Sequence, residues 1–290
     1  MTDRRLLVVH AHPDDEVLST GGLLAKHTAA GDQVTLVTCT LGEEGEILLP
    51  HIEHLAAHRE DDLGSHRIEE LAASMVALGI TDSRLLGGAG AYRDSGMMGE
   101  ASNDRDGCFW RADLREAADH LVAVIRETRP QVMVTYDDFG GYGHPDHIQA
   151  HRVATYAAVL AAVPSYRPDL GEPWDIPRQF WTAFPRSAIR AGIEKLREAG
   201  DTSDFAAMDP DDIPFAVSDD TLAAVVDVTQ QLPAKRAAMA AHASQINLEE
   251  GFFALSNNEG LPVFNSEYFR LAKGDVPGEL PVDDLFAGLA

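Results

Sequence analysis

The sequence has few cysteines and few basic residues. Cys39 and Cys108 are its two cysteines, which excludes a disulfide framework and favours free thiols in a reducing compartment. Lys and Arg number 23 against 47 Asp and Glu, giving a net charge of −24. Such a chain lacks the basic surface that nucleic acids and anionic membranes require. We therefore expect neither of them as a partner.

Several sequence patterns that define other protein classes are also missing. No run approaches the apolar length of a membrane span, and no apolar leader precedes the first strand-like run, so we expect a cytoplasmic protein. The first strand is not followed by G-x-G-x-x-G, which excludes a dinucleotide site. G-x-S-x-G is absent, which leaves a nucleophilic serine without support. With 45% hydrophobic residues, however, the chain has enough apolar material for a substantial core.

Strand-like and helical patterns alternate along the first half of the chain. Apolar runs predict buried strands at 6–9, 34–39 and 132–136. Helical spacing of apolar residues predicts helices over 67–78, 113–128 and 148–163. This alternation predicts an α/β fold, with a Rossmann-like, mostly parallel twisted sheet flanked by helices.

The sequence pattern changes after Pro164, where prolines recur and strand-like and helical segments no longer alternate clearly. We predict a Rossmann-like metal-binding catalytic domain over residues 1–165. Residues 166–290 are expected to form a smaller carboxy-terminal α+β portion that packs on the sheet and completes the substrate cleft. The two parts are close enough in the expected fold to count as one domain.

Two short motifs carry the chemistry of the sequence. H-P-D-D occupies residues 12–15 and H-P-D-H occupies residues 144–147, and each follows an apolar strand-like run. The carboxyl ends of parallel strands meet at one edge of a sheet, where ligands bind. Imidazole and carboxylate are the groups that zinc takes from proteins, and catalytic zinc needs three of them. The sequence therefore predicts a metal site built from two distant segments, and hence a hydrolase.

The two motifs and their spacing resemble those of the LmbE/PIG-L-type zinc N-deacetylases, which act on N-acetylated amino sugars and related amides. Further segments resemble the branch that deacetylates N-acetylglucosaminyl-inositol in mycothiol biosynthesis: 11–22, 37–46, 86–97, 134–147, 237–245 and 255–262. The resemblance implies zinc-dependent hydrolysis of the acetamide of this small amino-sugar substrate. The alternatives are another N-acetyl-amino-sugar deacetylase and the sister branch of mycothiol S-conjugate amidases, which has lysine in place of Ser19.

Residue roles follow from the resemblance position by position. It implies that His12, Asp15 and His147 are the ligands of one Zn²⁺ per subunit, with Fe²⁺ or another divalent ion as the alternative metal. It also makes Asp14 the general base. Residue type and spacing alone do not distinguish Asp14 from Asp15, so this division depends on the resemblance.

The resemblance extends to residues around the expected metal. Tyr142 and His144 are implied to stabilise an oxyanion, and Asp146 to orient a neighbouring imidazole. The residues implied to contact substrate are Arg67, Asp94, Ser19 and Glu46. His242 and Gln245 match a carboxy-terminal family pattern, which leaves open whether they touch substrate or brace the site.

A protein that only binds a metal or a sugar is the competing class of function. Asp14 beside a complete ligand set counts against it, because binding alone needs no general base. A sugar-binding module is also expected to line its cleft with aromatic residues, and few of these lie near the two motifs. The sequence therefore favours an enzyme.

Overall fold

The structure is a computed structural model that describes residues 3–258 and 260–289. The strands in this part of the chain are β1 (Arg5–His10), β2 (Gln33–Thr38), β3 (Asp82–Leu85), β4 (Val132–Thr135), β5 (Arg178–Pro185), β6 (Ala216–Val217), β7 (Ala224–Asp227) and β8 (Ser266–Lys273).

The α-helices in the same part of the chain are α1 (Asp15–Ser19), α2 (Gly21–Ala30), α3 (Leu63–Leu78), α4 (Leu114–Thr128), α5 (Gly140–Gly143), α6 (Pro145–Ala161), α7 (Arg186–Glu198), α8 (Asp204–Ala207), α9 (Leu232–Ala241), α10 (Gly251–Ala254) and α11 (Pro262–Asn265). Short 3-10 helices occur at Pro50–Leu55, Ala101–Asp104, Phe109–Arg111, Pro168–Leu170, Asp219–Thr221, Thr229–Gln231 and Leu255–Asn257.

The strands form one mixed sheet in the order β3-β2-β1-β4-β5-β8-β7, and β6 pairs with the end of β5. Strands β1 to β5 are mutually parallel, whereas β8 runs antiparallel to its neighbours. The predicted mostly parallel sheet flanked by helices is confirmed. Strand order reverses between β1 and β4, and the carboxyl ends at such a reversal form the crevice where open α/β sheets bind ligands.

Residues after 165 contribute strands to this same sheet. β5 pairs with β4, and β8 and β7 continue the sheet beyond it. The prediction of a separate carboxy-terminal lobe that completes the cleft stays a prediction.

Alternate residues of β1 pack into two different cores. Leu6 and Val8 face a cluster that includes residues of α2, α3 and α9, while Leu7 and Val9 face a cluster built largely from α4 and α6. Side chains of a strand point alternately to its two faces, so helices on both faces require an apolar residue at every position. The uninterrupted apolar run therefore places β1 in the centre of the molecule.

Helix α6 begins three residues before the predicted start at residue 148. Pro145 stands at its first position, where proline costs nothing because that N–H has no partner within the helix. The imidazole Nδ1 of His144 accepts a hydrogen bond from the backbone N–H of Asp146 at 3.1 Å and so caps the helix. His147 consequently lies in the first helical turn, at the carboxyl edge of the sheet.

Two helices, α1 and α2, follow the first motif and are separated at Thr20. A buried ion pair fixes the start of α2, because Glu267 accepts hydrogen bonds from the backbone N–H groups of Gly22 and Leu23 at 2.8 and 2.7 Å. Lys235 lies 2.7 Å from the same carboxylate, and both side chains are buried. The carboxy-terminal strand β8 thus anchors a helix of the amino-terminal half.

Both cysteines are buried free thiols, as the sequence predicts. Among the described helices, none combines the length and the apolar character needed to cross a membrane.

Replacing Leu121 by alanine is expected to lower the free energy of unfolding by about 2–5 kcal/mol, the usual cost of truncating a fully buried leucine. Leu121 lies on α4 against the sheet with no exposed surface. The matched control is Val159→Ala on α6, because Val159 is 61% exposed. This control is expected to change stability by less than about 0.5 kcal/mol. Urea unfolding of both variants measures the difference, and equal losses would contradict the assignment of this core.

Candidate metal centre and active-site cleft

The two motifs meet beyond the carboxyl ends of β1 and β4, at the reversal of strand order. β1 ends at His10 and β4 at Thr135, and the motif residues follow each of them. The imidazole rings of His12 and His147 have their centroids 5.1 Å apart. Segments separated by more than 130 residues therefore share one site because their strands are neighbours in the sheet.

Three groups form a small triangle at this point. His12 Nδ1 lies 3.3 Å from His147 Nε2 and 3.2 Å from the carboxylate of Asp15, and His147 Nε2 lies 3.3 Å from the same carboxylate. Tetrahedral zinc with nitrogen and oxygen ligands at about 2.0–2.1 Å separates neighbouring ligands by about 3.3 Å. The two imidazole nitrogens therefore have the spacing of zinc ligands, and each has a different oxygen of the Asp15 carboxylate at a similar distance.

The outer nitrogen of each imidazole already has a partner. His12 Nε2 lies 3.2 Å from a carboxylate oxygen of Asp146, and His147 Nδ1 lies 3.1 Å from the carbonyl oxygen of Gly140. These oxygens accept hydrogen bonds, so each ring can donate from its outer nitrogen and present its inner nitrogen to a metal. A divalent cation bound by the two inner nitrogens, which lie 3.3 Å apart, would accept both of their lone pairs. The donor set thus fits a divalent metal.

Among the described residues, two sets bring one possible ligand atom from each residue within 4.8 Å of one another: His12, His144 and His147, and His12, Asp94 and Asp146. In the first set, Nδ1 of His144 accepts a hydrogen bond from the backbone N–H of Asp146. In the second set, both carboxylates lie on the outer nitrogen of His12, at 3.5 and 3.2 Å. We therefore take the group that contains Asp15 as the candidate ligand set.

Tyr136 supports two of these groups, and the sequence analysis did not single it out. Its ring stacks on His147 with centroids 4.2 Å apart, and its hydroxyl hydrogen-bonds Asp15 and accepts from the backbone N–H of Ala11 at 2.9 Å. Burial raises the pKa of Tyr136, so the hydroxyl keeps its proton. A tyrosine at the end of a buried strand just before the second motif was the available signal.

Gly140 is required where the loop approaches α6. Its φ is +68°, and a Cβ atom there would lie 2.7 Å from the backbone nitrogen of Ile148 and 2.8 Å from Cβ of His147. Only glycine tolerates both the conformation and the contact. The close approach lets the Gly140 carbonyl hold the imidazole of His147.

Asp14 projects into the cleft from a strained backbone. Its φ of 125° is rarely adopted by any residue other than glycine, and such strain is concentrated at functional sites. Its carboxylate accepts a hydrogen bond from Arg67 at 2.7 Å. Burial raises the pKa of Asp14 to about 6, although Arg67 opposes the shift. A carboxylate with a pKa near neutrality suits a general base.

Arg67 holds the Asp14 carboxylate and a neighbouring loop. It is buried and donates to the carbonyl oxygen of Pro13, to the Asp14 carboxylate and, at 2.8 Å, to the carbonyl oxygen of Gly42. The sequence analysis expected it to contact substrate, and the structure places it where its donors already bind protein oxygens.

A fully buried carboxylate lies behind Asp14. Glu16 accepts from the backbone N–H of Asp14 at 2.9 Å and from the Ser74 hydroxyl at 2.6 Å, and its carboxylate lies 2.6 Å from Nε2 of His242. His242, whose place in the carboxy-terminal pattern had no assigned role, therefore braces the site from inside. Gln245 of the same pattern instead lines the cleft.

His144 is positioned as a neutral hydrogen-bond donor. Its Nδ1 accepts from a backbone N–H, so the ring proton resides on Nε2. Burial, reinforced by the nearby imidazoles of His12 and His147, lowers the pKa of His144 to about 3. Tyr142 lies on the adjoining loop, 48% exposed, with its ring centroid 6.2 Å from that of His144. Both side chains line the cleft.

Asp146 orients the imidazole of His12, as its position 3.2 Å from Nε2 indicates. The carboxylate is itself held by Ser95, which donates from its backbone N–H at 2.8 Å and from its hydroxyl. Ser95 belongs to the glycine-rich loop that follows β3, so this loop participates in the metal centre.

The cleft above the triangle has a volume of about 350 Å³. Arg67, Asp94 and Glu46, predicted from sequence as substrate contacts, line it. Ser19 ends α1 and is not among the lining residues. Lining residues that the sequence analysis did not identify are Glu44, Gly45, Gly96, Met97 and Glu100. They lie on two loops, and no local sequence pattern predicts that these loops meet.

A larger cavity of about 690 Å³ lies at the opposite edge of the sheet, and none of the motif residues lines it. Its lining mixes basic and acidic side chains, for example Arg5, Asp82 and Glu127. Residues of both motifs therefore line the smaller cleft and not the larger cavity.

A parallel sheet with a three-donor metal group at its strand reversal is typical of metal-dependent hydrolases of the α/β class. The family model described as "PIG-L: GlcNAc-PI de-N-acetylase" matches residues 7–158. A 1D-myo-inositol 2-acetamido-2-deoxy-alpha-D-glucopyranoside deacetylase of Nocardioides sp. is 60% identical over 99% of both chains. The chain therefore belongs to the PIG-L family of de-N-acetylases.

Solved structures share the fold at much lower identity. The N,N'-diacetylchitobiose deacetylase of Pyrococcus horikoshii is 19% identical with a TM-score of 0.63, covering 92% of this chain and 83% of that one. The 4-carboxy-2-hydroxymuconate hydratase GalB of Pseudomonas putida is 20% identical with a TM-score of 0.62, covering 96% and 99%. Because this fold also carries a hydratase, function has to be argued from the site.

Substitutions at the site are expected to separate metal binding from turnover. His147→Ala removes a corner of the triangle and is expected to lose bound metal, whereas Asp14→Ala leaves the three donors in place and is expected to retain it. Metal analysis of both purified variants by mass spectrometry measures this difference. Metal retained by His147→Ala and lost from Asp14→Ala would show that the two roles are assigned the wrong way round.

Proposed function

We propose that this protein hydrolyses the acetamide of N-acetylglucosaminyl-inositol, a small amino-sugar substrate, to glucosaminyl-inositol and acetate in mycothiol biosynthesis. The observation that carries the proposal is the triangle of His12, Asp15 and His147 with the Asp14 carboxylate beside it. The name of the Nocardioides relative, 60% identical along the whole chain, supports this choice of substrate.

Zn²⁺ is the proposed metal, one ion per chain, held by His12, Asp15 and His147. The ligand types and their spacing of 3.2 to 3.3 Å support zinc over the larger, oxygen-preferring cations. When bound, such an ion acts as a Lewis acid that lowers the pKa of water to about 7 and polarises the amide carbonyl.

Asp14 is the proposed general base. Its carboxylate faces the cleft and accepts a proton from the attacking water as the water oxygen bonds to the acetyl carbon. The amine of the sugar leaves when the bond between that carbon and nitrogen breaks, and it requires a proton. Asp14 then returns the proton it accepted, so one residue serves both steps. Arg67, at 2.7 Å, holds the carboxylate in place throughout.

His144 and Tyr142 are the proposed donors to the developing oxyanion. The Nε2–H of neutral His144 is a fixed donor, since its other nitrogen is held by the helix that follows. Tyr142 brings a hydroxyl that is protonated at neutral pH, as tyrosine ordinarily is. Donors of this kind act through their fixed orientation towards the charge that develops in the transition state.

Asp94 and Glu46 line the cleft and are proposed to accept hydrogen bonds from sugar hydroxyls. Ser19, also predicted as a substrate contact, lies outside the lining and acquires no contact role in this proposal. Arg67 is proposed to act on substrate chiefly through the carboxylate that it holds.

Replacing His144 by alanine is expected to lower kcat about 10²–10³-fold while bound zinc is retained, the usual cost of losing one oxyanion donor. Steady-state kinetics and metal analysis on the same preparation measure both quantities. His54→Ala, at an exposed position outside the cleft, is the control and is expected to keep kcat. An unchanged kcat in the His144 variant would remove this residue from the mechanism.

The proposed substrate is tested by comparing kcat/KM on N-acetylglucosaminyl-inositol with that on a thiol conjugate of mycothiol. We expect the acetylated pseudodisaccharide to be preferred. A preference for the conjugate would assign the chain to the S-conjugate amidases instead.

Removal of the metal provides the control for this comparison. Dialysis against a chelator is expected to abolish hydrolysis of the preferred substrate, and added Zn²⁺ is expected to restore it. Hydrolysis that persists without metal would contradict the proposed chemistry.

A further inference from the structure

We propose that Glu16 and His242 form a buried pair that positions Asp14 for proton transfer. The proposal rests on the proposed role of Asp14 as general base. It assigns a role to a carboxylate that lies outside the cleft lining and to a histidine near the carboxy-terminal end of the chain.

The conformation of Asp14 has to be maintained by its surroundings. A φ of 125° crowds the Cβ atom of any residue other than glycine, so the backbone relaxes unless other groups hold it. The Asp14 side chain is held by Arg67 at 2.7 Å, and its backbone N–H donates to Glu16 Oε2 at 2.9 Å. The second contact fixes the peptide on the side away from the cleft.

Glu16 is well suited to this task because its own carboxylate is immobilised. The side chain is fully buried, and its Oε1 atom accepts from the Ser74 hydroxyl at 2.6 Å and lies 2.6 Å from His242 Nε2. With Oε1 bound to two groups, Oε2 points at the Asp14 backbone. The carboxylate thus acts as a rigid acceptor rather than as a solvated side chain.

His242 supplies the partner that a buried carboxylate requires. It follows α9 with no exposed surface, and it reaches Glu16 across 226 positions of sequence. A buried carboxylate without a cation or donors would be too costly to retain its charge. The carboxy-terminal segment therefore fixes the base of a site whose metal donors all come from residues 12–147.

The pair is separate from the metal donors. Among the described residues, Asp15 contacts His12, His147 and Tyr136, and the side chains of Glu16 and His242 are not part of that set. Loss of the pair is therefore expected to affect proton transfer while the metal stays bound.

The test is Glu16→Ala, assayed on N-acetylglucosaminyl-inositol with the zinc-loaded protein. We expect kcat to fall at least about 10-fold, a part of the roughly 10²–10⁴-fold that general-base catalysis contributes, with KM and zinc content within about twofold of wild type. Glu16→Gln is expected to lose less, since its amide oxygen can still accept from the Asp14 N–H. An unchanged kcat, or loss of zinc, in Glu16→Ala would overturn the proposal.

Glu267→Gln is the matched control. Glu267 is also a buried carboxylate, paired with Lys235 at 2.7 Å, and it binds the start of α2 rather than Asp14. This variant is expected to lower Tm while kcat stays within about twofold of wild type. An equal loss of kcat in Glu267→Gln and Glu16→Gln would show that the loss comes from general destabilisation, which contradicts the proposal.

A double-mutant cycle shows whether Glu16 acts through Asp14. In an Asp14→Ala background, Glu16→Ala is expected to cause no further loss of kcat, and independent, multiplying losses would overturn the proposal. If Glu16→Ala does not fold, His242→Gln serves instead, with a loss of at least about threefold in kcat expected and unchanged kcat contradicting the proposal. Wild-type protein that shows no metal-dependent deacetylation would instead refute the proposed function itself.

Discussion

The convergence of two imidazole nitrogens and one carboxylate on a single point is the constraint on which the rest of the site depends. His12 Nδ1 and His147 Nε2 face each other at 3.3 Å because their other nitrogens are held by Asp146 and by the carbonyl oxygen of Gly140. Asp15 completes the group with negative charge. Two imidazoles and one carboxylate are donors that a divalent cation such as zinc binds. A metal is thus implied by how the chain orients its donors as well as by which residues are present.

The fold makes this arrangement possible by placing β1 and β4 side by side at the reversal of strand order. The same reversal leaves an open crevice above the donors, where loops from several parts of the chain contribute Asp94, Glu46 and Tyr142. The hydratase of similar fold indicates that the scaffold alone does not determine the reaction. In this chain, Asp14 has a strained backbone, is held between Arg67 and Glu16, and lies beside the proposed metal ligands. These features support hydrolysis as the proposed reaction.

The sequence predicted the parallel sheet and the meeting of the two motifs, because both follow from local patterns and one topological rule. It did not predict Tyr136 or the link between Glu16 and His242, since stacking on a ligand and pairing across 226 positions leave no periodic signal. The start of α6 was predicted too late because its first residues, Pro145 and Asp146, lack the apolar spacing from which the helix was predicted. Ser19 was expected to contact substrate from the resemblance alone. Whether a residue of α1 lines the cleft depends on the folded chain, and Ser19 is not among the lining residues.

The central claim is that a cation lies between His12, Asp15 and His147. X-ray diffraction from zinc-grown crystals, with data collected on both sides of the zinc absorption edge, tests it directly. We expect one anomalous peak, with both imidazole nitrogens and a carboxylate oxygen of Asp15 at about 2.0–2.2 Å from it. A peak bound through His144 in place of Asp15, or full zinc occupancy elsewhere with none between these three residues, would contradict the claim.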